Sequence, residues 1–126
     1  LDAAVRSYAT ALCAIAGPPP VLDLVHLRLG VDGHTASLVP GDPSLDVLDA
    51  EVALAGPYQG RRRMTLTFPA LDRARRLLWV VTGGSKAAML KRLQAGDRAI
   101  PAGRVQQDHA ILLVDRATGL RAHTEQ

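Results

Sequence analysis

The run "VLDLVHLRL", from Val21 to Leu29, is closed in front by "PPP" and behind by Gly30. Proline supplies no N–H for a helix or a sheet ladder, and glycine loosens the backbone, so this apolar segment can only be a short element with sharp ends. Its Val and Leu content, with little polar alternation, predicts a strand buried on both faces. Strands of that kind occur in parallel sheets covered by helices. The strand runs directly into "GVDGHTAS", which sets Asp32, Gly33 and His34 at its carboxyl end.

The rest of the chain supports a sheet of this type. The stretch before the prolines, "LDAAVRSYATALCAIAG", spaces Ala4, Val5, Tyr8, Leu12 and Ile15 as one face of a helix, and Gly17 stops it. A loop region rich in Pro and Gly follows, with a short strand expected around Val52 to Leu54. "RRMTLTF" alternates as a strand, "PALDRAR" begins a short helix with its proline early, and "RLLWVVT" is a second apolar strand. "GGSKAAMLKRLQAG" is predicted as a helix with Ser85 as its cap and Gly96 at its end. "IPAGRV" is predicted as a turn and "HAILLVD" as the last strand. Helices alternating with strands argue for an α/β fold with a largely parallel sheet and flanking helices. No linker divides the chain, so one domain is expected over residues 1–126.

Composition narrows the partners. The charge of +3, from 15 basic and 12 acidic residues, suits a domain that meets small anions but is too mixed for a nucleic-acid surface. Four aromatic rings leave little for base stacking. No apolar run is long enough for a membrane helix. The single cysteine, Cys13, fits a reducing compartment and a cytoplasmic protein, and is expected to be a small core residue. His26 is expected to be a core or interface residue, His109 a strand-edge residue and His123 a tail residue; the histidines, Cys13 and carboxylates have no metal-ligand spacing.

Ligands of open α/β sheets bind outside the carboxyl ends of the strands. Two loops lie there. In "DGHTAS", His34 can act as a general base near neutral pH, with Asp32 to orient it and Gly33 to permit an unusual backbone angle. In "TGGSK", two glycines and Lys86 between strand and helix form either an anion site or a flexible turn with a surface lysine. The basic run Arg61 to Arg63 reads as a solvated edge from which one arginine can reach a ligand.

"LDLVHLRLGVDGHTASLVPG", "RRRMTLTFPALDRARRLLWVVTGGSKAAMLKRL", "IPAGRV" and "LLVDRAT" occur in this order. Together they resemble the C-terminal half of the 6-phosphogluconolactonase family, over about Ala3 to Thr118. The resemblance implies the sugar-isomerase type of α/β fold, shared with glucosamine-6-phosphate deaminase. It implies hydrolysis of 6-phospho-glucono-1,5-lactone to 6-phosphogluconate in the oxidative pentose phosphate pathway, without metal or organic cofactor. By the same resemblance His34 is the base that activates water, and Asp32 and Gly33 belong to its motif. Lys86 matches the lysine near the sugar phosphate, and Arg63 matches a basic position on the family strand. The deaminase motif continues from its Asp-Gly-His into Asn and Glu, which "HTASLVPG" lacks.

Two departures from the family pattern bear on function. Arg28 stands where the family has glycine, and is expected to point into or beside the site, where it either crowds the pocket or adds an anion contact. The family's N-terminal half, with its glycine-rich phosphate loop and a substrate-holding arginine, has no counterpart. The chain begins at Leu1 inside a helical pattern. It is therefore expected to be truncated at the N-terminus, the C-terminal part of a single domain, completed by a missing N-terminal segment or by self-association. A sugar-phosphate-binding fragment without catalysis is the alternative.

Overall fold

The computed structural model describes residues 2–120; the expectation for His123 lies outside them. Three strands, β1 (Val25–Leu27), β4 (Leu77–Val81) and β5 (Ala110–Val114), form a parallel sheet in the order β1-β4-β5. Val25 and Leu27 pair with Leu77 and Trp79, and Trp79 and Val81 pair with Leu112 and Val114. The side chains at these positions share one face. Leu38, Leu71, Leu90, Leu93, Ile100 and Ala102 pack against that face as a single core.

The helices on the core face start and stop as the sequence chemistry dictates. α2 (Phe68–Asp72) is capped by Thr67, whose Oγ1 accepts from the Ala70 N–H, and carries Pro69 in its first turn. α3 (Ala87–Gln94) buries Leu90 and Leu93 and gives way at Gly96, which has a φ of 63°. The turn expected at "IPAGRV" is instead a single helical turn, α4 (Pro101–Arg104), begun by Pro101 at a position where no N–H is needed.

The opposite face of the sheet is open among the described residues. His26, Leu78 and Ile111 lie side by side on it, with Val80 and Leu113 in the next row. Leu24, Ile111 and Leu113 are 55%, 43% and 53% exposed. The strand expected to be buried on both faces is therefore an edge strand three residues long, with only Val25 and Leu27 inward and His26 exposed. α1 (Asp2–Ala16) does not supply the missing layer, because it buries none of its residues. Cys13, expected in the core, is accordingly only half-buried.

The other two strands leave this sheet. β2 (Val52–Tyr58) and β3 (Arg61–Leu66) form an antiparallel hairpin of their own. Gln59 and Gly60 between them take φ of 52° and 77°, as a two-residue hairpin turn requires. β2 is seven residues long rather than a short strand over Val52 to Leu54, and its register shifts between Ala55 and Tyr58. That irregular stretch holds Gly56 and Pro57, residues that weaken a strand signal in sequence and are tolerated at a bulge.

Candidate active site

The loop after β1 is closed by its own backbone. The Gly30 N–H donates to the His34 carbonyl at 2.8 Å, and the Gly33 N–H donates to the Gly30 carbonyl at 3.0 Å. Gly33 takes a φ of 87°, and a Cβ there would lie 2.6 Å from the Ile100 side chain. Only glycine fits on both counts. The Gly33 carbonyl accepts from the Ala102 N–H at 3.0 Å, which pins the loop to α4. Beyond it, Thr35 and Leu38 exchange a pair of backbone hydrogen bonds.

This closed loop brings Asp32 and His34 together. Asp32 Oδ1 accepts from the His34 backbone N–H at 3.0 Å and lies 2.5 Å from His34 Nδ1. Partial burial pushes the Asp32 carboxyl up. The hydrogen bonds from the His34 backbone and ring, with the attraction of that ring, outweigh it and hold the group below the usual carboxylate value. An ionised Asp32 acts as an acceptor only, so it selects the imidazole form with a proton on Nδ1. Nε2, which makes no hydrogen bond among the described residues, is then the nitrogen with a free lone pair.

The hairpin closes the other side. Tyr58, at the end of β2, lies with its ring centroid 5.5 Å from that of His34, tilted by 57°. Its hydroxyl is 3.4 Å from Asp32 Oδ2. Nothing in the sequence singles out Tyr58, because its approach depends on the β2 register shift. The hairpin is tied to the loop by the Ser37 N–H, which donates to Thr65 Oγ1 at 3.2 Å. Asp42 adds a second tie, accepting from the Gly56 N–H at 2.8 Å and from Ser44.

His34 and Ala36 line two adjoining cavities. One, of about 320 Å³, also touches Arg28, His26, Leu66 and Leu71. The other is a narrow cleft beneath the hairpin, bounded by Tyr58, Arg63, Ser37 and Gly56. Arg28 and Arg63, both exposed, thus each line one of the two cavities that His34 also lines. Lys86 reaches the same strand end from the β4–α3 turn, where its Nζ donates to the Leu29 carbonyl. All six residues singled out from sequence therefore gather around the end of β1.

The turn that carries Lys86 differs from expectation in two respects. It opens as a short 3-10 turn, Gly84–Lys86, preceded by Gly83 with a φ of 93°, and Ser85 makes no capping bond. The Gly83 N–H is not bare either. It donates to both carboxylate oxygens of Asp115, at 3.1 and 3.2 Å. A carboxylate of the chain itself thus already takes up that donor.

Comparisons with known proteins agree with this architecture. The family model described as "Glucosamine-6-phosphate isomerases/6-phosphogluconolactonase" matches residues 1–114. The chain is 47% identical over 90 residues to a 6-phosphogluconolactonase of Rattus norvegicus, a match that takes in 69% of this chain and 35% of that protein. It is 40% identical over 108 residues to a 6-phosphogluconolactonase of Synechocystis, covering 82% of this chain and 45% of the relative. The solved structure of 6-phosphogluconolactonase from Trypanosoma brucei superposes with a TM-score of 0.76 at 26% identity, over 91% of this chain and 51% of that one. The chain thus spans less than half the length of these two curated relatives and about half of the solved chain. Matched along most of its own length in both sequence and fold, the chain belongs to the glucosamine-6-phosphate isomerase/6-phosphogluconolactonase family.

Proposed function

We propose that the chain is the base-carrying, C-terminal part of a 6-phosphogluconolactonase domain that opens 6-phospho-glucono-1,5-lactone to 6-phosphogluconate. The observation that carries this reading is the Asp32–His34 pair, fixed at a strand end with Nε2 unbonded among the described residues and facing cavities that Arg28 and Arg63 also line, while Lys86 meets the same strand end at the Leu29 carbonyl. Nε2 takes a proton from water as the oxygen attacks the lactone carbonyl. The ring C–O bond then breaks, and the imidazolium returns its proton to the departing ring oxygen. Asp32 stabilises the transient imidazolium. A δ-lactone is an activated ester, so one positioned base and one anion-holding patch suffice. Lys86 is assigned to the substrate phosphate, Arg63 to a second anionic contact, and Gly33 to the loop geometry that presents His34. Arg28, lining the cavity with His34, adds a cation where a glycine would leave open space. The substrate is a small sugar phosphate of the cytoplasm; nucleic acid and membrane play no part.

The open sheet face favours a second component of the reading. Parallel sheets are covered on both faces, and Leu24, Ile111 and Leu113 are left exposed here. An N-terminal segment, or failing that a second copy, covers them and completes the phosphate site. Without it the chain binds sugar phosphate but does not turn lactone over.

The test is a pH-stat assay with fresh lactone on the full protein containing this chain. His34→Ala should lower the rate by about 10²–10⁴-fold while keeping the fold, with a stability loss of no more than about 1–2 kcal/mol from the missing bond to Asp32. Near-normal turnover in that variant would remove His34 from the mechanism. Binding of 6-phosphogluconate without turnover in the parent would leave the binding-fragment reading standing.

A further inference from the structure

We infer that Tyr58 is a positioning residue for the base, acting through Asp32. This rests on the reading of His34 as general base. Asp32 uses Oδ1 for both of its contacts with His34, the backbone N–H and the ring. That leaves Oδ2 as the handle by which the carboxylate can be turned. The Tyr58 hydroxyl is the side-chain donor that meets it, at 3.4 Å, while the same tyrosine's ring lies against the imidazole. One residue of the hairpin thus restrains both members of the pair. A carboxylate held at Oδ2 cannot rotate Oδ1 away from Nδ1, so the proton stays on Nδ1 and the lone pair on Nε2. The register shift between Ala55 and Tyr58 fits this role, because it resets the pairing by one residue, so that Tyr58 faces Arg61 in a register different from that of the rest of β2. Among the described residues, the other ionisable groups near the pair are Arg28 and His26, which line one cavity with His34, Arg63, which lines the other, and Lys86, which donates to the Leu29 carbonyl. None of the four is hydrogen-bonded to Asp32.

The experiment compares Tyr58→Phe, which keeps the ring and removes the hydroxyl, in the parent and in an Asp32→Asn background. Two readouts are followed on the full protein: lactone hydrolysis, and the ring ¹⁵N shifts of His34 by NMR. In the parent background, Tyr58→Phe should lower kcat about three- to tenfold with KM unchanged, the scale of one ordinary hydrogen bond, since the contact to the carboxylate is long at 3.4 Å. It should also move the ¹⁵N shifts toward a mixture of tautomers. In the Asp32→Asn background both effects should vanish, since the hydroxyl acts through the carboxylate. Equal effects in the two backgrounds, or unchanged ¹⁵N shifts in Tyr58→Phe, would overturn the assignment. If the parent hydrolyses no lactone, the lactonase reading falls on its own, and the NMR comparison alone decides the place of Tyr58.

Discussion

Gly30→Ala tests the site at its tightest point. Gly30 does not have the positive φ that would exclude other residues, so its backbone accepts alanine. The obstacle is the imidazole. A Cβ on Gly30 would lie 2.1 Å from His34 Nδ1 and 2.2 Å from Cε1, where ordinary contact begins at 3.4 Å. The ring would have to retreat by more than an ångström. The backbone cannot yield in its place, because the Gly30 N–H and carbonyl are both committed to the loop. The atom displaced is the one bonded to Asp32, so that bond breaks. A hydrogen bond to a charged group contributes ~1.5–3 kcal/mol, and the partial exposure of both side chains places this one near the low end. Misplacing a reacting group by ~1 Å costs ~10²-fold in rate. Gly30→Ala should therefore destabilise by about 1–2 kcal/mol in urea unfolding and lower kcat/KM by at least ~10²-fold. Added to His34→Ala, it should cost nothing more on either measure, because the collision partner is gone. Full activity in Gly30→Ala, or an undiminished stability cost in the double variant, would refute this account of the site.

Two further outcomes follow from the same geometry. Lys86→Ala should weaken 6-phosphogluconate binding in calorimetry while hardly changing turnover of an unphosphorylated lactone; equal losses on both would count against a phosphate role. The Asp42 carboxyl is pushed up by burial, but the hydrogen bonds from Ser44 and Gly56 outweigh this and hold it below its usual value. Its contribution to stability is therefore complete above the unfolded value of ~3.9 and is lost as pH falls through the lower folded value. Asp42→Asn should be less stable at neutral pH and should decline less steeply below about pH 4, and parallel acid limbs in urea titrations would contradict the hydrogen-bond assignment.

The residues of the loop after β1 were legible because their chemistry is local. A glycine with positive φ, a carboxylate two residues before a histidine, and a strand just upstream all sit within ten positions of one another. β4 and α3 were legible from apolar spacing alone. The features that escaped are products of tertiary pairing. Ser85 has the side chain of a cap, yet the turn before α3 is held by Asp115, from the far end of β5. β2 looked short because Gly56 and Pro57 interrupt it, and only pairing with β3 extends it to Tyr58. β1 has the composition of a strand covered twice, but composition cannot say which segment does the covering.

The hairpin shares no backbone ladder with the parallel sheet, and this has an engineering consequence. His34 sits on a loop anchored to one sheet, while Tyr58 and Arg63 arrive from the other across a seam crossed by the Ser37–Thr65 and Asp42–Gly56 bonds. Opening of the hairpin need not carry the Asp32–His34 loop with it, so the two halves of the site can exchange with solvent as separate cooperative units. The hairpin is in effect an exchangeable cassette. Its tip and its outward arginines can be rewritten while the Asp32–His34 loop stays where β1 and α4 hold it.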